Sequence, residues 1–414
     1  MKNNKSKLAL AAASLMGASH VATLSATDWS HEASILYYGE SDDRVQDGSL
    51  KYKGVRTNDE DSKLSLNFGV DTLTGSSPSG VAPSKDIQVL TSPSGNSTIT
   101  HPANELPLDD TFLDTRVSGA ASWDQSIIDD NTRGNAGISF SKEYDYLHLG
   151  VSGGLSREFN DKNTTFSVGL AYSADTLEPV GNAPIPFSDQ NAAKGSDSES
   201  KDVIDVVFGV TQILSKNTLL QLNYGLSQAD GYLNDPYKWV SRVDSSGTIV
   251  ENLHESRPDS RTGHNLYGAI KHNIADGLFG KNNILTTSGR YHTDDWGIDS
   301  VTLDAKYQID LGNKKSIEPH VRYYHQSEAD FYVPQLDASA PLPEHATADY
   351  RLAEFDAYTL GATYRWGGSN NKEWRVTGEL YTQDPTKTTL TPGQDGLDAN
   401  PGFDAAILSL GVKF

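Results

Sequence analysis

Alternating apolar and polar residues recur along most of the chain beyond Ser30, in segments of roughly ten to fifteen residues separated by turn-forming sequences. The segment Gly297–Leu311 shows the pattern most clearly, with apolar residues at Val301, Leu303, Ala305, Tyr307, Ile309 and Leu311. Successive side chains of an extended strand point to opposite faces, so each segment would have one apolar and one polar face. The pattern predicts an all-β fold.

The lengths of the connections between these segments follow a regular order. Five are long and follow the third, seventh, ninth, thirteenth and fifteenth segments: Leu73–Leu113, Thr176–Ser200, Ala229–Thr262, Ala329–Ala353 and Asp384–Phe403. Every connection after an even-numbered segment is short. Outer-membrane barrels have this asymmetry. We therefore predict a transmembrane antiparallel β-barrel of about 16 strands in the lipid of the bacterial outer membrane, with short periplasmic turns and long extracellular loops.

The last segment, Asp404–Phe414, predicts how the barrel closes. Its apolar face ends on the aromatic side chain of Phe414. Chain ends usually fray in water, whereas the last strand of a membrane barrel must pair with the first so that no sheet edge remains in lipid. We predict pairing with His31–Glu40 and place Phe414 at the periplasmic rim. A terminal aromatic residue there resembles the signal read by the machinery that inserts outer-membrane barrels, which we expect as a partner.

Composition and charge exclude several classes of function. No apolar run reaches the about 18 residues that a transmembrane helix needs. The 414 residues include 36 glycines and 19 tyrosines but no cysteine, which removes disulfides, thiolate metal ligands and cysteine nucleophiles. The formal net charge of -21 argues against nucleic acid as a partner.

The first residues have the pattern of an export signal. Three lysines, Lys2, Lys5 and Lys7, precede the apolar run Leu8–Met16, and small residues lead to Ala26. This order is typical of a Sec signal peptide. We predict a signal peptide over residues 1–26, cleaved after Ala26, and a single barrel domain over residues 27–414.

Three sequence blocks carry a family resemblance. They read LYYGESDDRV at Leu36–Val45, DTLTGSSPSG at Asp71–Gly80 and LPLDDTFLDTR at Leu106–Arg116. They resemble a family of uncharacterised Gram-negative proteins that are predicted to be outer-membrane barrels, and the resemblance covers nearly the whole chain after the signal segment. It implies a location and a fold. It implies no activity.

The polar faces of the segments supply candidate functional residues. Charged side chains of both signs would face the lumen, which is wide enough for water in a barrel of about sixteen strands: Asp304, Lys306, Asp310, Glu318 and Arg322. The first long loop is the candidate constriction, with the residues Asp71, Thr74, Asp109, Asp110, Asp114 and Arg116. A porin-like channel or binding barrel for small solutes would use these groups. The alternative is a non-conducting surface scaffold or a sheath for a partner protein, and the oligomeric state stays open.

An enzyme is the third possibility. His325 and Ser327 lie two residues apart on one strand face, and this spacing resembles that of outer-membrane phospholipases and lipid A deacylases, in which a histidine activates a serine. Ser327 is followed by Glu328 and Ala329, which departs from the phospholipase pattern, and no third residue is identifiable. We therefore predict a protein that is not an enzyme.

Metal and cofactor motifs are missing from the sequence. Acidic residues cluster at three outer positions, which are Glu40, Asp42, Asp43 and Asp47, then Asp109, Asp110 and Asp114, then Asp395 and Asp398. None has the spacing of a calcium loop, and no zinc, P-loop or dinucleotide motif occurs. We interpret the clusters as solvated loops and predict no metal site and no cofactor.

Overall fold

Sixteen antiparallel strands close into one barrel in the computed structural model, which describes residues 29–42, 44–58, 62–91, 98–192, 195–277, 280–369, 372–387, 390–391 and 393–414. The strands are β1 (Trp29–Glu40), β2 (Gln46–Thr57), β3 (Lys63–Pro78), β4 (Leu108–Ser126), β5 (Thr132–Lys142), β6 (Tyr146–Phe159), β7 (Thr164–Leu177), β8 (Glu199–Ser215), β9 (Thr218–Gly231), β10 (Ser260–Gly277), β11 (Gly280–Asp294), β12 (Asp299–Gly312), β13 (Lys315–Gln326), β14 (Phe355–Gly367), β15 (Glu373–Pro385) and β16 (Phe403–Lys413). The predicted fold class and strand number are confirmed.

The barrel closes where the sequence predicted, between β1 and β16. The two strands pair from Glu32 with Lys413 to Glu40 with Ala405. Beyond the last of these pairs, His31 and Phe414 exchange two backbone hydrogen bonds of 2.8 and 2.9 Å, and their rings stack at 5.4 Å. Within the described barrel, this pairing leaves neither end strand with an open edge.

The outer surface of the barrel is apolar. Alternate residues of each strand expose large hydrophobic side chains, such as Leu360 at 62% and Leu303 at 54%. Exposed aromatic residues accompany them, including Tyr37, Trp123 and Tyr291. A closed barrel with a continuous apolar exterior and aromatic residues belongs in a bilayer. Among the described residues, no helix is long and apolar enough to cross a membrane.

The five long loops follow β3, β7, β9, β13 and β15, as predicted, and comprise residues 79–107, 178–198, 232–259, 327–354 and 386–402. The bounds predicted for the first loop, Leu73–Leu113, are wrong. β3 and β4 continue to pair as far as Pro78 with Leu108. A strand needs about 9–11 residues to cross a bilayer, and β4 has 19. Backbone pairing therefore continues above the membrane, where side-chain alternation weakens and no longer marks the strand.

The loops contain short elements of their own. Gln88–Thr91 pairs with Thr98–His101, and Trp239–Val243 pairs with both Ile249–His254 and Leu336–Asp337. One turn of 3₁₀-helix spans Tyr350–Leu352. The predicted signal peptide, residues 1–26, lies outside the described residues.

Candidate functional site: the barrel lumen and its loop plug

The lumen has two unlike walls. Many inward positions of β5, β6 and β7 are small or hydroxyl-bearing: Gly137, Ser139, Gly150, Ser152, Gly154, Ser167 and Gly169. The opposite wall, formed by β10 to β16 with β1 and β2, carries long charged side chains. The predicted lumen charges all lie on this charged wall.

Two of the predicted lumen charges belong to pairs or networks. Asp304 on β12 contacts His320 on β13 at 2.7 Å, and the second imidazole nitrogen of His320 contacts Glu379 on β15 at 2.7 Å. Glu318 accepts a hydrogen bond of 3.0 Å from Arg365 on β14. Asp310 lies at the end of β12, where its carboxylate accepts the backbone N–H of Gly312 at 2.8 Å.

Basic side chains on the charged wall outnumber their partners. Among the described residues of this wall, several inward-facing basic groups form no ion pair, including Lys51, Lys53, Lys271, Arg290, Lys306 and Arg322. Lys51, Lys53, Lys271 and Arg322 are solvent-exposed, so this part of the lumen holds water. Some carboxylates of the same wall are compensated by a basic partner, for example Glu32, which pairs with Arg375 at 2.5 Å. The lumen therefore has a local positive field although the whole chain is acidic.

The predicted constriction residues lie on strands and not on a loop. Asp71 on β3 and Arg116 on β4 are opposite each other, and their side chains form a two-pronged ion pair with contacts of 2.5 and 2.9 Å. Thr74 pairs in register with Leu113 on β4. This placement follows from the extension of β3 and β4 beyond the predicted loop boundary.

Three further constriction candidates lie on β4. Asp109 pairs in register with Ser77, and Asp110 is on the same strand, although its side chain is outside the described set. Asp114 approaches two carboxylates of the β5–β6 connection, Glu143 and Asp145, so that ligand atoms of the three lie within 4.8 Å of one another. The sequence grouped Asp114 with its chain neighbours, because it could not show which strand would lie alongside.

The five long loops contact one another and form what we call the loop plug. Residues 232–259 are central, since they bond to three other loops. The connecting hydrogen bonds are Trp239 N to Ser79 O (3.0 Å), His254 N to Ser188 O (2.9 Å), Ser256 N to Ala346 O (2.9 Å), Gln394 Nε2 to Pro83 O (3.0 Å) and Gln335 Nε2 to Thr391 Oγ1 (2.7 Å). All five long loops take part.

The plug is packed into the outer part of the lumen. One apolar cluster joins inward residues of the strands, Val203 on β8 and Ala229 on β9, to the loop residues Tyr332, Leu352 and Ala353. The side-chain amide of Gln326, at the inner face of β13, donates to the carbonyl of Ala353 at 2.8 Å. Burial of apolar surface and satisfied polar groups therefore both hold the plug against the barrel wall.

A buried ionic network lies at the centre of the plug. Arg257 contacts Glu255 at 2.6 Å and Asp349 at 2.7 Å, and Arg351 contacts Asp349 and Asp235 at 2.5 Å each. Lys238 donates to the carbonyl of Pro78. Three carboxylates and three basic groups thus meet where two loops join the end of β3. Breaking such a buried pair is costly because a charge is left without compensation.

The ionic network shifts the pKa values of its members. Burial alone would raise the pKa of Asp349, but Arg351 and Arg257 outweigh it and hold the pKa well below its ordinary range. Burial also opposes ionisation of Asp235, and Arg351 again lowers its pKa. Burial lowers the pKa of Lys238. The two aspartates are therefore carboxylates at neutral pH and retain their arginine partners.

The structure does not join the residues of the lipid-hydrolase hypothesis. His325 Nδ1 contacts Asp356 at 3.2 Å. The Ser327 hydroxyl donates to the carbonyl of Gly297 at 3.0 Å and accepts the backbone N–H of Asp299 at 2.8 Å. Ser327 is thus bonded to the backbone of the β11–β12 connection, and no hydrogen bond links it to His325.

These features define the protein as an outer-membrane β-barrel with a loop-filled outer lumen. The chain belongs to the family described as protein of unknown function (DUF3570), which matches residues 5–414. No curated protein matches the chain.

Solved outer-membrane barrels resemble it in fold at low sequence identity. CdiB from Acinetobacter baumannii is 10% identical, with 93% of this chain and 60% of CdiB covered and a TM-score of 0.43. This chain therefore spans less than two thirds of CdiB. A bacterial polysaccharide outer membrane secretin is 10% identical, with 93% and 97% covered and a TM-score of 0.45. OccK5 (OpdH) from Pseudomonas aeruginosa is 8% identical, with 94% and 98% covered and a TM-score of 0.43.

Proposed function

We propose that this protein is a gated outer-membrane channel that binds and passes small anionic solutes. The observation that carries the proposal is the set of basic side chains without an ion pair on the charged wall, among which Lys51, Lys53, Lys271 and Arg322 are exposed. A positive field between low-dielectric walls concentrates anions. Arg290 and Arg322 lie on β11 and β13, one strand apart, and offer planar guanidinium groups suited to carboxylates and phosphates.

The loop plug supplies the gate. It packs against the inner faces of β8 and β9, and we expect solute to pass when loops move away from them. Hydrogen bonds and ion pairs between loops hold the closed state, so the open state is the less populated one. Anions would bind from the periplasmic side in the closed state and pass in the open state.

Ion selectivity in a planar bilayer tests the proposal. With a salt gradient across the membrane, the reversal potential should show a preference for anions. Replacing both arginines, Arg290→Gln with Arg322→Gln, should reduce the preference, because the unpaired charge at that level of the lumen is removed. Lys85→Gln is the matched control, since Lys85 is an exposed basic residue of the first long loop. Cation-selective currents, or a reversal potential that the arginine variant leaves unchanged, would refute the proposal.

A non-conducting scaffold or partner sheath is the second candidate. The observation in its favour is the apolar core and ionic network that close the outer lumen. In that case neither the full protein nor a form lacking residues 80–106 would show channel events. A partner that co-purifies in a fixed ratio, together with silent bilayers, would favour this candidate over the channel.

A further inference from the structure

Three inward residues on adjacent strands of the small wall form a connected chain of hydrogen bonds. Ser139 Oγ on β5 lies 3.3 Å from His148 Nε2 on β6. His148 Nδ1 lies 2.6 Å from Asp175 Oδ1 on β7. The order serine, histidine, carboxylate, with one imidazole nitrogen for each neighbour, is the arrangement that activates a hydroxyl as a nucleophile.

Asp175 fixes the orientation of the imidazole. It is 1% exposed. Its second oxygen accepts a hydrogen bond from the Tyr146 hydroxyl and lies 3.6 Å from Lys201 Nζ. A carboxylate held in this way accepts hydrogen bonds only, so His148 Nδ1 must carry the proton. In the neutral imidazole Nε2 is then the acceptor that faces Ser139, which is the tautomer a general base requires.

Gly150 keeps the space beside Ser139 open. It is the β6 residue directly opposite Ser139. A Cβ at this position would lie 2.6 Å from Ser139 Oγ and 3.2 Å from His148 Nε2, so any side chain would crowd both reacting atoms. Ser139 itself is half-buried, and the residues opposite and diagonal to it on β6, Gly150 and Ser152, are small.

We propose that Ser139 and His148 are catalytic residues of a hydrolytic site for short-chain carboxylic esters of hydrophilic alcohols, with Asp175 as a positioning residue. Ser139 Oγ would bond to the ester carbonyl carbon while its proton moves to His148 Nε2. Collapse of the tetrahedral intermediate breaks the bond to the alcohol, which leaves with that proton. Water then attacks the acyl-serine by the same route, releasing the acid and restoring the hydroxyl.

The surroundings define the class of substrate. Ser122 on β4 and Ser152 on β6 lie diagonal to Ser139 in the register and are candidate hydroxyl donors for an oxyanion. The absence of large side chains among the neighbouring inward positions accommodates an alcohol with many hydroxyl groups. A wall without an apolar pocket suits a short acyl group and not a fatty acyl chain.

Diisopropyl fluorophosphate tests the site on the folded full-length protein. Ser139 should form a phosphoryl adduct, with loss of fluoride, that peptide mass mapping locates. His148→Ala should slow adduct formation by about a hundredfold or more, because the general base is lost, and added imidazole should restore part of the rate. Ser167→Ala is the control, since Ser167 also faces the lumen and should leave labelling of Ser139 unchanged.

Two further measurements separate catalysis from a structural role. In Asp175→Asn the pH profile of labelling should move toward lower pH, since the imidazolium loses its carboxylate. The wild-type protein should hydrolyse p-nitrophenyl acetate, and Ser139→Ala should not. Absence of a Ser139 adduct in the folded wild type, or equal labelling rates in wild type and His148→Ala, overturns the inference. Neither result depends on channel conductance, so failure here leaves the proposed channel untouched.

Discussion

Single charged residues decide whether the loop plug stays closed. Arg351 compensates the buried carboxylates of Asp349 and Asp235. Arg351→Leu should therefore destabilise the closed plug by about 3–5 kcal/mol. Limited proteolysis of the folded barrel should show faster cleavage within the long loops.

Arg157→Leu is the control for that variant. Arg157 is an exposed residue whose contact with Asp129 is 3.5 Å long, and exposed pairs contribute about 0–1 kcal/mol. Equal cleavage rates in the two variants would show that the buried network does not hold the loops.

Acid should loosen the plug through the same carboxylates. The folded pKa values of Asp349 and Asp235 lie below the ordinary aspartate value of 3.8. Their stabilising contribution is therefore complete above about pH 4 and is lost as the pH falls through the folded values. Loop cleavage by an acid-active protease should rise at low pH in the wild type. In a double variant, Asp235→Asn with Asp349→Asn, the increase in cleavage at low pH should be smaller. If the increase were as large as in the wild type, protonation of other groups would be its cause.

One glycine allows two loops to approach closely. Gly80 has a φ of +90°, and a Cβ there would overlap the carbonyl oxygen of Trp239. Gly80→Ala should separate the first loop from the central loop and increase hydrogen exchange in both. Gly48→Ala is the control, because a Cβ at Gly48 meets nothing within 4 Å. Unchanged exchange in Gly80→Ala would contradict this account.

At the scale of the elements, closure depends on β1 and β16. Deleting Phe414 removes the residue that exchanges two backbone hydrogen bonds with His31 and stacks on its ring. The truncated chain should assemble poorly, and the yield of folded barrel in membranes measures this. Phe414→Trp keeps an aromatic ring and the backbone bonds and should assemble well. Normal insertion of the truncated chain would contradict the role assigned to this residue.

The elements were predictable because the bilayer imposes one alternating pattern on every strand. Gly297–Leu311 carries that pattern clearly, and the observed strand β12 covers Asp299–Gly312, within two residues of the predicted bounds. Where strands leave the bilayer the pattern weakens, so the ends of β3 and β4 were assigned to a loop.

The sites were predictable only in part. The alternation of polar and apolar residues along β12 predicted that Asp304 and Lys306 face the lumen. Contacts between distant strands, such as Ser139 with His148 and Asp175, depend on register and side-chain reach, which one sequence does not specify. The H-x-S spacing of His325 and Ser327 considers one strand only, and the structure shows no hydrogen bond between these two side chains.

At the scale of the whole molecule, the proposed channel should be mostly silent because the packed loop plug closes it. Wild-type protein in a planar bilayer should show rare openings, whereas Arg351→Leu should open more often with the same ion preference. The reason is that the arginine acts on the loops and not on the charged wall. The fraction of time spent open measures this, with Arg157→Leu as the reference. If Arg351→Leu altered the ion preference without changing the fraction of time spent open, the idea that the loops form the gate and the charged wall sets the selectivity would be contradicted.

The hydrogen bond between Gln394 and Pro83 spans 311 residues of chain. Contacts of such high sequence separation form late, because a long segment must be ordered before they can. The first and fifth long loops can therefore join only after the segments between them have been ordered. A newly inserted barrel should pass through a leaky stage with unpaired loops, and cells that make much of this protein should become briefly permeable during its synthesis.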